Sequence, residues 1–86
     1  MNATNLFRET VAAIPEDVTT QVNWSFAIAD KIDAKLKEIG MTQKEFAKEV
    51  GKTEPEVSRW LSGTHNFTLR TLAKISSVLG EDIIKI

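Results

Sequence analysis

Two short boxes, Thr42-Gln43-Lys44-Glu45 and Thr53-Glu54-Pro55-Glu56, flank a single glycine, Gly51. A threonine followed three residues later by glutamate caps a helix start reciprocally: hydroxyl to backbone N–H, carboxylate back to the cap. Gly51 accepts the left-handed backbone that ends one helix before the next begins. The pattern predicts helices over Thr42–Val50 and Thr53–Ser62, too close in sequence to lie anywhere but against each other. Their inner faces read Phe46, Ala47, Val50 and Val57, Trp60, Leu61. Ala47 is small where two steeply crossed helices approach most closely. Pro55 falls in a first turn, where its missing N–H removes no helical hydrogen bond. Trp60 is expected in the core.

The flanking segments extend the same logic. Trp24–Ile39 repeats Ile28, Ile32, Leu36 and Ile39 at helical spacing, with Phe26 and Ala29 beside them. Asn23 or Ser25 is the expected cap and Gly40 the stop. Thr68–Leu79 forms a last helix on the stripe Leu69, Leu72, Ile75, Leu79, ended by Gly80. The tail Glu81–Ile86, with Ile83, Ile84 and Ile86, requires burial as a strand, a helix end or a partner contact. Upstream, Leu6, Phe7, Val11 and Ile14 can share one helical face, broken at Ile14-Pro15. Pro15-Glu16-Asp17 resembles a second start, because acids favour the positive end of the helix dipole. Val18, Thr19, Thr20 and Val22 are weak helix formers, so the helicity of Pro15–Val22 is open. The chain divides into an N-terminal extension over 1–22, a helical domain over 23–80 and a tail over 81–86.

Composition excludes several function classes. An 86-residue chain buries one modest core, and 42% apolar with 27% charged residues is ordinary for a globular domain. No cysteine is present, which removes disulfides and thiolate metal sites and fits a reducing cytoplasm. One histidine excludes a metal site built on several imidazoles. No apolar run approaches the roughly 20 residues of a membrane helix. Met1–Arg8 has neither the basic lead nor the apolar core of a signal peptide. With no Ser/His/Asp or metal-ligand cluster, an enzyme is not expected, and no cofactor is implied. The net charge of −1 argues against nucleic acid until its distribution is read. Residues 40–75 carry six basic and four acidic side chains, whereas Met1–Val22 carries one basic and three acidic.

Two short helices about a glycine turn form a helix-turn-helix unit. The run Thr42-Gln43-Lys44-Glu45-Phe46-Ala47, then Val50-Gly51 through Ser62-Gly63, resembles the Cro/C1-type (XRE family) motif of phage and bacterial repressors. The matching features are the small residue four after Gln43, the glycine four beyond it, and the apolar pair six and nine after Gly51. Likeness extends from about Ile28 to Leu79. Gly63-Thr64-His65-Asn66-Phe67-Thr68 is similar to a subgroup that includes antitoxin-like regulators. Lys52 departs from the pattern, which usually has an apolar residue after the glycine. The resemblance implies an all-α, lambda-repressor-like domain of four to five short helices, here with a short N-terminal helical extension.

It also implies a division of labour. Gln43 takes the place that contacts the DNA backbone, where the open N–H groups of a helix start suit phosphate; otherwise it is a solvated terminal residue. Arg59 is the expected base reader, bidentate to guanine, unless Glu54 or Glu56 holds it in a salt bridge. Glu54 stands where relatives read bases and suits cytosine N4, or simply favours the helix dipole. Ser58 lies beside Arg59 on the outward face, and Pro55 either meets a thymine methyl or stiffens the turn. Thr53 is a cap whose hydroxyl is also expected at phosphate or at a thymine methyl. Glu56 belongs to the cap. Ser62, Thr64, His65 and Asn66 line the following turn and can bond phosphate, or for the last two, build the turn. Lys44, Lys52 and Arg70 are phosphate candidates or solvated charges.

The leading expectation is a cytoplasmic transcriptional regulator, a repressor, that binds double-stranded DNA as a homodimer. Its fourth helix and tail supply the dimer surface. An antitoxin is the alternative, with residues 5–22 as the toxin surface. The third expectation is an interaction module that has lost DNA binding, suggested by the negative net charge.

Overall fold

The computed structural model describes residues 14–86. Four helices make up the described chain: α1 (Glu16–Ile39), α2 (Gln43–Val50), α3 (Glu54–Leu61) and α4 (Leu69–Leu79). The helix expected over Leu6–Ile14 lies, apart from Ile14, outside the described residues.

The first helix is longer than its periodicity indicated. It starts at Glu16 and runs unbroken through Trp24, so neither Asn23 nor Ser25 is a cap. Pro15 occupies the cap position, and its carbonyl accepts from the N–H groups of Val18 and Thr19 at 3.1 and 3.2 Å. Glu16 and Asp17 fill the first turn, where the dipole favours them. Extending an existing helix costs only tenths of a kcal/mol per weak former, roughly, so the β-branched residues do not stop it. Gly40 ends it at φ +71°. There the Met41 N–H reaches the Leu36 carbonyl and the Gly40 N–H the Lys37 carbonyl, the paired bonds of a left-handed helix stop.

The core gathers one stripe from each element. Ile32 and Leu36 of α1, Phe46, Ala47 and Val50 of α2, Val57 and Trp60 of α3, and Leu72, Ile75 and Leu79 of α4 pack together. Phe46 and Trp60 meet edge to face at a centroid distance of 6.2 Å, a favourable aromatic geometry. The tail forms no regular element, yet Ile83 enters this core. Polar contacts hold it: the Ile83 N–H donates to Ser76 Oγ at 3.0 Å, Lys31 Nζ donates to the Asp82 carbonyl at 2.9 Å, and Lys35 pairs with Glu81 at 3.3 Å.

Three apolar expectations fail. Leu69, assigned to the α4 stripe, is 75% exposed because it opens the helix beyond the reach of the core. Ile39 and Phe26 are also exposed. Phe26 nevertheless has a role that spacing did not reveal: its ring lies against Gly63 where a Cβ would stand. That contact, with Gly63 at φ +90°, clamps α1 onto the turn that follows α3.

Candidate nucleic-acid interface

The interface is built on two capped helix starts. Thr42 Oγ1 accepts from the Glu45 N–H at 3.1 Å, and Glu45 Oε1 accepts from the Thr42 N–H at 3.3 Å. The second box repeats the arrangement, with a shorter bond from the cap N–H. Glu56 Oε2 accepts from the Thr53 N–H at 2.8 Å and from Thr53 Oγ1 at 3.1 Å, while Thr53 Oγ1 accepts from the Glu56 N–H at 3.3 Å. Between them Gly51 sits at φ +72°, with the Lys52 N–H bonded to the Ala47 carbonyl at 2.8 Å. This is the same stop as at Gly40, so the polar side chain of Lys52 leaves the turn regular.

These caps engage two of the surface's carboxylates. The Glu56 carboxyl is held below the usual value of 4.5, first by the Thr53 backbone N–H, then by its hydroxyl, with Lys52 and Arg59 adding attraction. Glu45 and Glu56 are thus bound to their own helix starts. The Thr53 hydroxyl is bound as well, because its hydrogen points to Glu56.

The outward surface holds most of the nominated residues. Gln43 and Lys44 open α2, Glu54, Pro55, Ser58 and Arg59 run along α3, and Ser62 caps its end; all are exposed. Arg59 forms no ion pair with Glu54 or Glu56; the ion pairs among the described residues are Lys35–Glu38, Lys35–Glu81 and Lys37–Asp33. A groove of about 230 Å³ brings Lys52, Glu56, Arg59, Trp60, His65 and Thr71 together. His65 is half-buried there, its ring 4.8 Å from that of Phe67 and 6.1 Å from that of Trp60.

The turn residues separate. Ser62 Oγ donates to the Arg59 carbonyl at 2.6 Å and lies 3.2 Å from Thr64 Oγ1, so these two hydroxyls already have partners in the turn. Asn66 lines a different groove, beneath α1, away from Arg59 and Lys52. Arg70 is exposed on the first turn of α4, a helix capped by Thr68. Two cations escaped the sequence reading. Lys48 follows Lys44, and Lys74 follows Arg70, each by four residues and so on one helical face. Their spacing was the available signal.

Among the described residues no group of acids, histidine or cysteine is placed to hold a metal ion, and no helix is long and apolar enough to cross a membrane. Compared with known families, residues 32–86 match the model of HTH_3, a helix-turn-helix family. No curated protein and no solved structure matches the chain.

Proposed function

The chain belongs to the HTH_3 helix-turn-helix family, whose domains are DNA-binding regulators rather than enzymes, and from that membership we propose that it is a sequence-specific transcriptional repressor. Its all-helical, lambda-repressor-like fold is consistent with DNA-binding regulation in general. One observation supports the specific reading most: the cations around the two capped helix starts have no carboxylate partner among the described residues, while two neighbouring acids are tied into caps.

In this reading α3 lies in the major groove. Arg59 donates two parallel hydrogen bonds to guanine O6 and N7. Glu54 accepts from cytosine N4 and rejects bases that offer no donor there. Ser58 and Pro55 flank them, Pro55 against a thymine methyl. Gln43 and the open N–H groups of α2 hold a phosphate, with Lys44, Lys52 and Arg70 as point charges around it. Thr53, Ser62, Thr64, His65 and Asn66 complete the phosphate set, the first three only where their present hydrogen-bond partners give way. A homodimer in the cytoplasm then spans two half-sites one helical turn apart.

Selection from random duplex DNA tests this. The wild-type chain is expected to enrich one motif, and Arg59→Ala to lose the preference at one guanine within it. No enrichment by the wild-type chain contradicts the reading.

A second reading, an antitoxin, is favoured by Ile14, just before α1, and by Val18 and Val22 on its first half, which all remain exposed. Co-purification with the product of the neighbouring gene tests it; failure to form a complex removes it.

A further inference from the structure

The two most exposed apolar side chains of the helices, Trp24 and Leu69, lie in one place. Trp24 of α1 is 68% exposed, Leu69 of α4 is 75% exposed, and Ile84 and Ile86 of the tail are exposed as well. Trp24, Ile28, Leu69, Leu72 and Ile84 line a groove of about 710 Å³ between these elements. A contiguous apolar patch of this kind on a small domain marks a contact surface.

The charges beside it suggest what covers it. Asp17, Trp24, Ile28 and Lys31 recur at helical spacing and share one face of α1. At its head Glu16 and Asp17 have no cation partner among the described residues. Two turns beyond Trp24, Lys31 has no carboxylate partner there either; its ammonium bonds only the Asp82 carbonyl. Trp24 lies midway between Asp17 and Lys31 in sequence. The face therefore reads acid, apolar, base, with the tryptophan at its centre. Turned through a two-fold axis at Trp24, it complements itself: acid meets base at both ends, and apolar meets apolar between them. A self-complementary patch is what a two-fold homodimer requires.

We propose that a second copy of this chain docks on this face, with the two α1 helices antiparallel about Trp24 and Asp17 opposite the partner's Lys31. The proposal rests on the homodimer reading and names its contact: α1 joins the α4 start and the tail. The α1 portion lies mostly before Ile32, where the family match begins. Because Trp24 and Leu69 project from the folded monomer, substituting them leaves the core intact.

Sedimentation equilibrium of the full chain without DNA is the test, with far-UV circular dichroism to verify folding. The wild-type chain is expected to dimerise, and Trp24→Glu and Leu69→Glu each to weaken self-association by about tenfold or more, as central apolar contacts do. Asp17→Lys and Lys31→Glu are expected to weaken it singly and to restore it together. If both apolar variants dimerise like the wild type, the surface is wrong and the homodimer reading survives. If self-association ignores both charge changes, the antiparallel arrangement is overturned. A wild-type chain that stays monomeric overturns dimer and surface together. In that case acrylamide quenching of Trp24 distinguishes cover by the chain's own N-terminal segment from a face left for a different protein. Binding of a single half-site, measured separately, leaves the DNA reading standing through any of these failures.

Discussion

The α2–α3 surface and the stretch of α1 around Lys35 and Lys37 treat the same kinds of residue in opposite ways. On α1 and the tail, Lys35 pairs with Glu38 and Glu81, and Lys37 with Asp33 at 2.8 Å. On the other surface Lys44, Lys48, Lys52 and Arg59 have no such partner among the described residues. The acids also differ. Glu45 and Glu56 close capping boxes, whereas Glu38, Glu81 and Asp33 neutralise lysines. A cation already paired within the chain gains less from a phosphate than an unpaired one, because it must first give up its partner. The contrast teaches why a net charge of −1 is compatible with an anionic ligand. What counts is where acids spend their hydrogen-bonding capacity, and here Glu45 and Glu56 spend it on the backbone N–H groups of their own caps.

Four substitutions separate the two surfaces, beginning with the one that breaks both. Phe46 is fully buried under α2 and α3. Phe46→Ala is expected to cost about 3–5 kcal/mol in urea denaturation and to abolish every binding activity through unfolding. Arg59→Ala is expected to weaken binding to the selected site by about 1–3 kcal/mol while leaving the melting temperature unchanged. Thr53→Ala removes a cap and is expected to cost about 1 kcal/mol of stability, with a smaller loss of DNA affinity as α3 frays. Lys37→Ala, on the paired surface, is expected to leave both DNA affinity and melting temperature within error, since exposed pairs contribute little.

Acid sharpens the contrast further. A depressed carboxyl pKa contributes stability that is fully present above its unfolded value and is lost as pH falls through the folded one. For Glu56 that loss lies below 4.5. Melting curves of the wild type and Glu56→Gln are therefore expected to differ near neutrality and to converge in acid. A constant gap across that range contradicts the capping role.

The legible parts of the fold were local ones. The Thr42 and Thr53 boxes, the stops at Gly40, Gly51 and Gly80, and the buried place of Trp60 all follow from residues within one or two turns. Three features were not legible because they depend on distant partners. The first half of α1 is built from poor helix formers and is carried by the helix beyond it. Leu69 has stripe spacing but no neighbour to cover it. The Phe26–Gly63 contact joins residues far apart in sequence, and no periodicity in either segment reports it. In the candidate site, exposure followed from the outward face of α3. The commitments of Ser62 and Thr64 to internal hydrogen bonds, and the edge-to-face contact of His65 with Phe67, needed the folded turn. Asn66, one residue after His65, lines the other groove.

The central claim is that the unpaired cations of the α2–α3 surface meet DNA phosphates, and the salt dependence of binding tests it most directly. Each phosphate neutralised releases counterions, so affinity for the selected duplex is expected to fall linearly on a logarithmic scale of salt concentration. Replacing Lys44 or Lys52 with alanine is expected to reduce that slope by about one unit each, and Lys37→Ala to leave it unchanged. An affinity indifferent to salt, or a slope lowered by Lys37→Ala but not by Lys44→Ala and Lys52→Ala, would contradict it.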